Sequence, residues 1–305
     1  MSSVGPPWND PIPIGKISEP PFVRLPDPNT LFKARAARFR LLCDGHTLAP
    51  YLQLLASLSD IQHRLQDGLA EPEMPARDAI EQAREFGMPP LDRCSFTADV
   101  AFNATLNRLL TLARDIDMPE PAHAALARTT SAQAAARDVM VRAVLTDAIP
   151  VEALADHLFM AAALQVHFAR RAARLDGRRL VPVGDGACPA CAAPPVSSAV
   201  VGWPGAENTR FCACSLCGTL WHYVRIKCTL CSSTKGITYR QVEQSDGLVR
   251  AETCDGCRGY VKILQQQQNP ALDPVADDVA TLALDLLLRD LGYRRGAVNP
   301  FLFGY

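Results

Sequence analysis

The chain has 305 residues, with 31 Lys or Arg against 32 Asp or Glu and a formal net charge of −1. That length suggests about two domains. Near-neutrality argues against a nucleic acid or an acidic membrane as partner, because both demand a clear basic excess. No segment approaches the ~20 apolar residues of a membrane span, so no membrane insertion is expected.

The opening residues, Met1 to Lys16, lack a charged stretch followed by an apolar run. No signal peptide is expected, and the cytoplasm is the expected compartment. Residues 1–28 carry eight prolines. Proline fixes φ and removes a donor, so this segment reads as an extended or disordered arm.

Residues 29–182 read as a helical domain rich in alanine, the strongest helix former. Between 51 and 69, Tyr51, Leu54, Leu58, Ile61, Leu65 and Leu69 recur every three or four residues and make one apolar stripe. Further helices are predicted over 75–87, 97–116, 129–146 and 150–175, with Pro150 at the last start and Gly177 at its stop. Cys43 and Cys94 have no partner cysteine in this half and read as packing residues. Arg170, Arg171, Arg174, Arg178 and Arg179 cluster at the last helix end. Cations there complement the helix dipole, and a solvated face is preferred over an acidic docking patch.

Near Ala187 the composition changes to cysteine, glycine and β-formers. "VSSAVVGW", "LWHYVRI", "GITYRQV" and "YVKIL" read as strands. A closing segment, 269–305, carries a helix over 274–291. Its apolar stripe is Val275, Val279, Leu282 and Leu286, with Asp278, Thr281, Asp285 and Arg289 on the other side. The apolar tail "NPFLFGY" is expected to be docked. The fold class is therefore α+β.

Four C-x2-C pairs lie in this second half: Cys188/Cys191, Cys214/Cys217, Cys228/Cys231 and Cys254/Cys257. Each cysteine of the first two pairs has a counterpart 40 residues later, and Arg210 maps onto Arg250 by the same shift. A shared period signals an internal duplication. Adjacent inner pairs could share a metal, or the pairs could interleave. Only sequential pairing explains why the two inter-pair gaps match. Site one is thus assigned to Cys188, Cys191, Cys214 and Cys217, within 183–222. Site two is assigned to Cys228, Cys231, Cys254 and Cys257, within 223–268. Each unit reads as knuckle, strand, turn, strand, knuckle, with Asp246-Gly247 as a hairpin signal.

Four thiolates complete a tetrahedral metal site, which suits zinc or iron alike. A closed site binds no substrate at the metal. It can hold a surface in shape, or pass one electron if the metal is iron. Each unit is too small to fold on its own core, so metal binding would supply folding energy, and losing one ligand is expected to loosen its own unit far more than the helices. With two divalent metals and eight thiolates included, residues 186–269 carry a net charge near −1, which weakens a zinc-ribbon nucleic-acid reading. Cys212, whose counterpart is Glu252, reads as a small buried residue. His222 is not expected to be a ligand, since both sites are already full.

"CPACAAPPVSSAV", "CSLCGTLWHYVRIKCTLC", "AETCDGCRGYVKIL", "VADDVATLALD" and "NPFLF" resemble the formate dehydrogenase accessory protein FdhE family, and "PPLD" at Pro89–Asp92 extends the likeness into the helices. The resemblance implies a cytoplasmic, non-catalytic maturation factor. Such factors contact the molybdenum- or tungsten-containing catalytic subunit of respiratory formate dehydrogenase before export through the twin-arginine pathway. It implies rubredoxin-like modules whose eight cysteines hold two metal ions. Iron is favoured and zinc is the alternative. The inter-knuckle gap is shorter than a rubredoxin's, and only Gly218 directly follows a second knuckle cysteine, so the choice of metal stays open. The alternative function is an iron-dependent redox protein serving the same subunit.

Overall fold

The computed structural model describes residues 19–302. Residues 1–18 of the expected arm and 303–305 of the expected tail lie outside the described residues. Residues 19–28 are not a free arm. Val23–Arg24 forms a short strand, β1, paired antiparallel with Trp221 and Leu220. Asp27 then caps the first helix, its carboxylate accepting from the Asn29 N–H with Pro28 at the first helical position.

Seven helices follow among the described residues: α1 Pro28–Leu41, α2 Ala49–Arg64, α3 Arg77–Glu85, α4 Val100–Ala113, α5 Glu120–Ser131, α6 Ala134–Leu145 and α7 Leu154–Ala172. The run expected over 129–146 is α6 with the end of α5, and α5 itself is additional. α7 is buried without a break from His157 to Ala169. A helix apolar all round belongs in the centre, and α2, α4, α5 and α6 pack around it. The arginines at its end are in part a solvated face, with Arg174, Arg178 and Arg179 exposed and Arg170 and Arg171 half-buried. Arg170 donates to the Leu69 carbonyl and Arg174 to that of Pro72, while Arg174 and Arg179 pair with Glu71 and Glu81. They fasten the 69–81 segment to α7.

His167 on α7 lies against Phe96 and Phe102, with Asp99 Oδ2 3.8 Å away. Burial lowers its pKa from 6.5 to about 4. Between those values the unfolded chain binds a proton that the folded chain refuses. The contribution to stability is complete above pH 6.5 and declines as pH falls toward 4, by about 3 kcal/mol. Urea midpoints at pH 7 and pH 4.5 should therefore differ less in a His167→Phe variant than in the natural chain. An unchanged difference would show that other groups carry the acid sensitivity.

The second half is a mixed sheet of β2 Pro195–Val201, β3 Thr209–Cys214, β4 Leu220–His222, β5 Ile237–Arg240, β6 Val249–Cys254 and β7 Gly259–Leu264. The order is β1-β4-β3-β2-β7-β6-β5. Each forty-residue unit contributes three antiparallel strands. β2 and β7 join the units in parallel, with Ser198 opposite Ile263 and Ala199 opposite Leu264. The units stand head to tail, related by a shift across the sheet rather than a two-fold axis.

The closing helix breaks at Thr281 into α8 Ala276–Ala280 and α9 Leu282–Asp290. The break turns α9, so Leu284 and Leu288 face inward while Leu286 is exposed. Asp278 and Asp285 are not on a solvent face either. Both are buried, within 3.3 and 2.5 Å of Lys262 Nζ on β7, and Arg295 pairs with both. Asn299 donates to Asp278 Oδ2 at 2.7 Å. Phe301 and Leu302 are buried, and the Tyr51 hydroxyl donates to the Phe301 carbonyl at 2.7 Å. Two cations thus balance two carboxylates, as buried charge requires. The strand β8, Arg294–Arg295, completes the layer by pairing with β7.

Candidate metal centres

Each unit turns back on itself at two knuckles. In both units the first cysteine of the opening knuckle exchanges backbone bonds with the residues after it. The Ala192 N–H donates to the Cys188 carbonyl at 2.8 Å, and Ser232 to Cys228 at 3.0 Å. The residue after the second cysteine is left-handed at all four knuckles: Ala192 at φ 60°, Gly218 at 74°, Ser232 at 62° and Arg258 at 55°. Only Gly218 adopts this freely. A Cβ there would also lie 2.8 Å from the Leu31 side chain of α1. The other three hold a conformation that costs L-residues about 1–2 kcal/mol. Ala192→Gly should therefore raise stability by up to about 1 kcal/mol after the extra entropy of glycine in the unfolded chain. A thermal melt that fails to rise would show that the turn is not strained.

The knuckles gather the cysteines in two groups of four, Cys188 with Cys191, Cys214 and Cys217, and Cys228 with Cys231, Cys254 and Cys257. This is the sequential arrangement. In the first group the Cys188–Cys217, Cys191–Cys214 and Cys191–Cys217 sulfurs lie 3.5–3.6 Å apart, and in the second Cys231–Cys254 and Cys228–Cys257 lie 3.7 and 3.8 Å apart. A tetrahedron with metal–sulfur bonds of 2.3 Å has an edge of about 3.8 Å, so both groups fit a four-thiolate ion. Backbone N–H groups of Leu216 and Cys217 point at the Cys214 sulfur at 3.4 and 3.3 Å, and that of Leu230 at Cys228 at 3.4 Å. Burial pushes the Cys188 and Cys191 thiols well up. Burial also opposes ionisation of Cys214, yet donations from the other three thiols hold it well below the ordinary thiol range. Four buried sulfurs this close to one another can exchange their protons for a cation.

The two groups differ in surroundings. All four sulfurs of the first are buried, whereas Cys231 is exposed and Cys257 half-buried in the second. The first is also knitted to the helices. Leu91 and Arg93 donate to the carbonyls of Ala190 and Cys191 at 2.9 and 3.1 Å. Gln165, in mid-α7, donates to the Ser215 carbonyl at 2.9 Å and accepts from Gln62 at 3.1 Å. The second group rests on the sheet and the closing helix. Leu230 is wedged so tightly that a Cβ on Gly259 or Gly296 would lie 2.3 or 2.1 Å from its Cδ1. Arg258 covers the Tyr293 ring at 4.0 Å.

Family models described as FdhE N-terminal, FdhE central domain and FdhE C-terminal domain match residues 20–185, 187–225 and 226–302. The protein named FdhE homolog of Rhizobium meliloti (strain 1021) is 46% identical over 305 residues, covering 99% of this chain and 100% of that protein. The chain belongs to the FdhE family. A second FdhE homolog, from Edwardsiella ictaluri (strain 93-146), is 34% identical, with 92% of this chain and 90% of the relative covered. The crystal structure of the FdhE protein from Pseudomonas aeruginosa superposes with a TM-score of 0.83 at 32% identity, over 93% of this chain and 99% of that one.

The phrases that resemble FdhE carry contacts of their own in this structure. "PPLD" supplies Leu91, which docks on the opening knuckle of site one, and "NPFLF" supplies Asn299 at the Asp278 network. Cys212 is fully buried, and burial pushes its thiol up to about 12, as suits an inert packing residue. It belongs to neither sulfur group. His222 pairs on β4 and packs on Phe211, also outside both groups. Cys43 is half-buried and donates to the Phe39 carbonyl. Cys94 is exposed and is therefore not a packing residue. The expectation overlooked Arg210 and Glu252. They form a buried ion pair at 2.9 Å that crosses from the first unit to the second. The duplication held the signal, because Glu252 stands where the first unit has Cys212.

Proposed function

We propose that this FdhE-family chain is a cytoplasmic, non-catalytic accessory factor that binds the catalytic subunit of respiratory formate dehydrogenase and is needed for its activity. Family membership supports an accessory role toward that enzyme. The observation that carries the non-catalytic part is the closure of both four-cysteine groups. Four sulfurs fill a tetrahedron, leaving no position at which formate could meet a metal. The eight cysteines would hold two ions, iron by preference or zinc, and those ions would contribute folding energy to the surface presented to the partner. No helix among the described residues is long and apolar enough to cross a membrane, in keeping with a factor that meets its partner before export.

A second reading is favoured by one asymmetry. Cys231 and Cys257 reach solvent while the first group does not. An iron held there could exchange one electron with the partner. A pull-down of the catalytic subunit, beside a formate dehydrogenase assay in cells, separates the readings. With Cys254→Ser, loss of binding and activity together supports the surface role. Retained binding without activity supports electron transfer, and an iron–thiolate visible spectrum that bleaches reversibly should accompany it. If ligand variants at both sites bind and activate normally, both readings fail.

A further inference from the structure

Among the described residues the sheet ends at the two-residue β1 on one side and at the four-residue β5 on the other, so β5 is its longer open edge. β1 covers the outer side of β4, while β5 ends the order on the other side. An edge strand turns every second N–H and C=O outward and so offers a template for another extended chain. The duplication shows what such an edge accepts. Judged by their pairing with the middle strand, Tyr239 and Arg240 of β5, opposite Glu252 and Ala251, stand where Ser198 and Ala199 of β2 stand opposite Cys212 and Phe211. In β2 those two residues receive Ile263 and Leu264 of β7 in parallel. The first strand of a unit is thus built to take a parallel strand, and in the second unit that place is open.

A second copy does not fit it by the same rule. Its β7 is already paired with its own β2, and its β4 edge is already covered by β1. Under that rule, which calls for a parallel strand, the occupant is an extended segment of a different chain. The surroundings describe its side chains. Beside β5, a hollow of about 420 Å³ is lined by Arg240, Leu287 and Leu291, and both leucines are about half exposed. Tyr239, the neighbour of Arg240 on the strand and so on its other face, is also exposed, its hydroxyl donating to the carbonyl of Arg225 beside the exposed Ile226. Alternate residues of an added strand point to opposite faces, so an occupant apolar on both faces suits this edge.

We propose that β5 is the docking strand for the partner: an extended, apolar segment of the formate dehydrogenase catalytic subunit adds to it in parallel at Tyr239–Arg240. This rests on the partner named above. Amide hydrogen exchange of the full chain, with and without the purified catalytic subunit, tests it. Binding should slow exchange in residues 237–240. A Leu287→Asp, Leu291→Asp double variant, altered only at exposed positions, should bind at least tenfold more weakly with unchanged exchange in the free state. Failure to bind at all would remove the partner and this assignment together. Binding that leaves 237–240 exchanging freely would keep the partner and overturn the docking strand. Protection of 237–240 that grows with protein concentration in the chain alone would place a second copy there and overturn it equally. Undiminished binding by the double variant would overturn the apolar character of the segment.

Discussion

Cys214→Ser should speed amide exchange in β3 and β4 by on the order of a hundredfold, equivalent to about 3 kcal/mol, and the disturbance should run on into α7 and the 89–93 segment. Cys254→Ser should have a comparable local effect on β5 and β6 but leave α2, α4 and α7 as protected as before. The difference follows from what each knuckle touches. Ser215 and the Ala190–Cys191 carbonyls are bonded to Gln165, Leu91 and Arg93. If the knuckle loosens, the Gln165–Gln62 pair loses its buried acceptor, and a buried amide without its partner costs about 1–3 kcal/mol. The bonds around Cys254 lead to β5, β7 and the closing segment, and none of them runs to α2, α4 or α7. The sequence leads to the expectation that losing a ligand loosens its own unit far more than the helices; these contacts support it at the second site and extend the disturbance into the helices at the first. Equal spread of both variants into the helices, or none from Cys214→Ser, would contradict the contacts described.

The legible parts of this molecule are those set by spacing. Eight cysteines repeating at forty residues define two sulfur groups from spacing alone, because a C-x2-C turn has few ways to close. The apolar stripe from Tyr51 to Leu65 likewise announces α2, which spans Ala49–Arg64. Illegible parts depend on partners distant in sequence. Asp278 and Asp285 read as a solvated face, since nothing local reveals that Lys262 and Arg295 come to meet them. The break at Thr281 then makes Leu284 and Leu288 the fully buried positions of α9, leaving Leu282 partly buried against the core and Leu286 exposed. Asp27-Pro28 was a readable helix start hidden by the proline density around it. The unequal exposure of the two centres is a packing outcome, because both units present the same cysteine pattern. The parallel β2–β7 joint was equally hidden, since strand neighbours across two units leave no trace in local periodicity.

Glu252→Ala should lower stability by about 3–5 kcal/mol, the range seen when one partner of a buried ion pair is removed. Arg210 has no exposed side-chain surface, and besides Glu252 its guanidinium donates only weakly, at 3.4 and 3.3 Å, to the carbonyls of Val224 and Lys227. Without the carboxylate the charge is buried and uncompensated. Glu252→Gln should fall between, because an amide oxygen still accepts from Arg210. The apolar replacement of both, Arg210→Met with Glu252→Leu, should recover most of the loss or exceed the natural chain. Burial raises the Glu252 carboxyl above its usual range despite Arg210 beside it, so the attraction does not fully offset desolvation. The pair is then better understood as a device for alignment than for strength. It ties β3 of one unit to β6 of the other across the β2–β7 joint, where the strict repeat would have put a cysteine opposite an arginine. A urea-monitored double-mutant cycle measures both claims. A loss under about 1 kcal/mol for Glu252→Ala, or no recovery in the double variant, would show that the units hold their register without this clip.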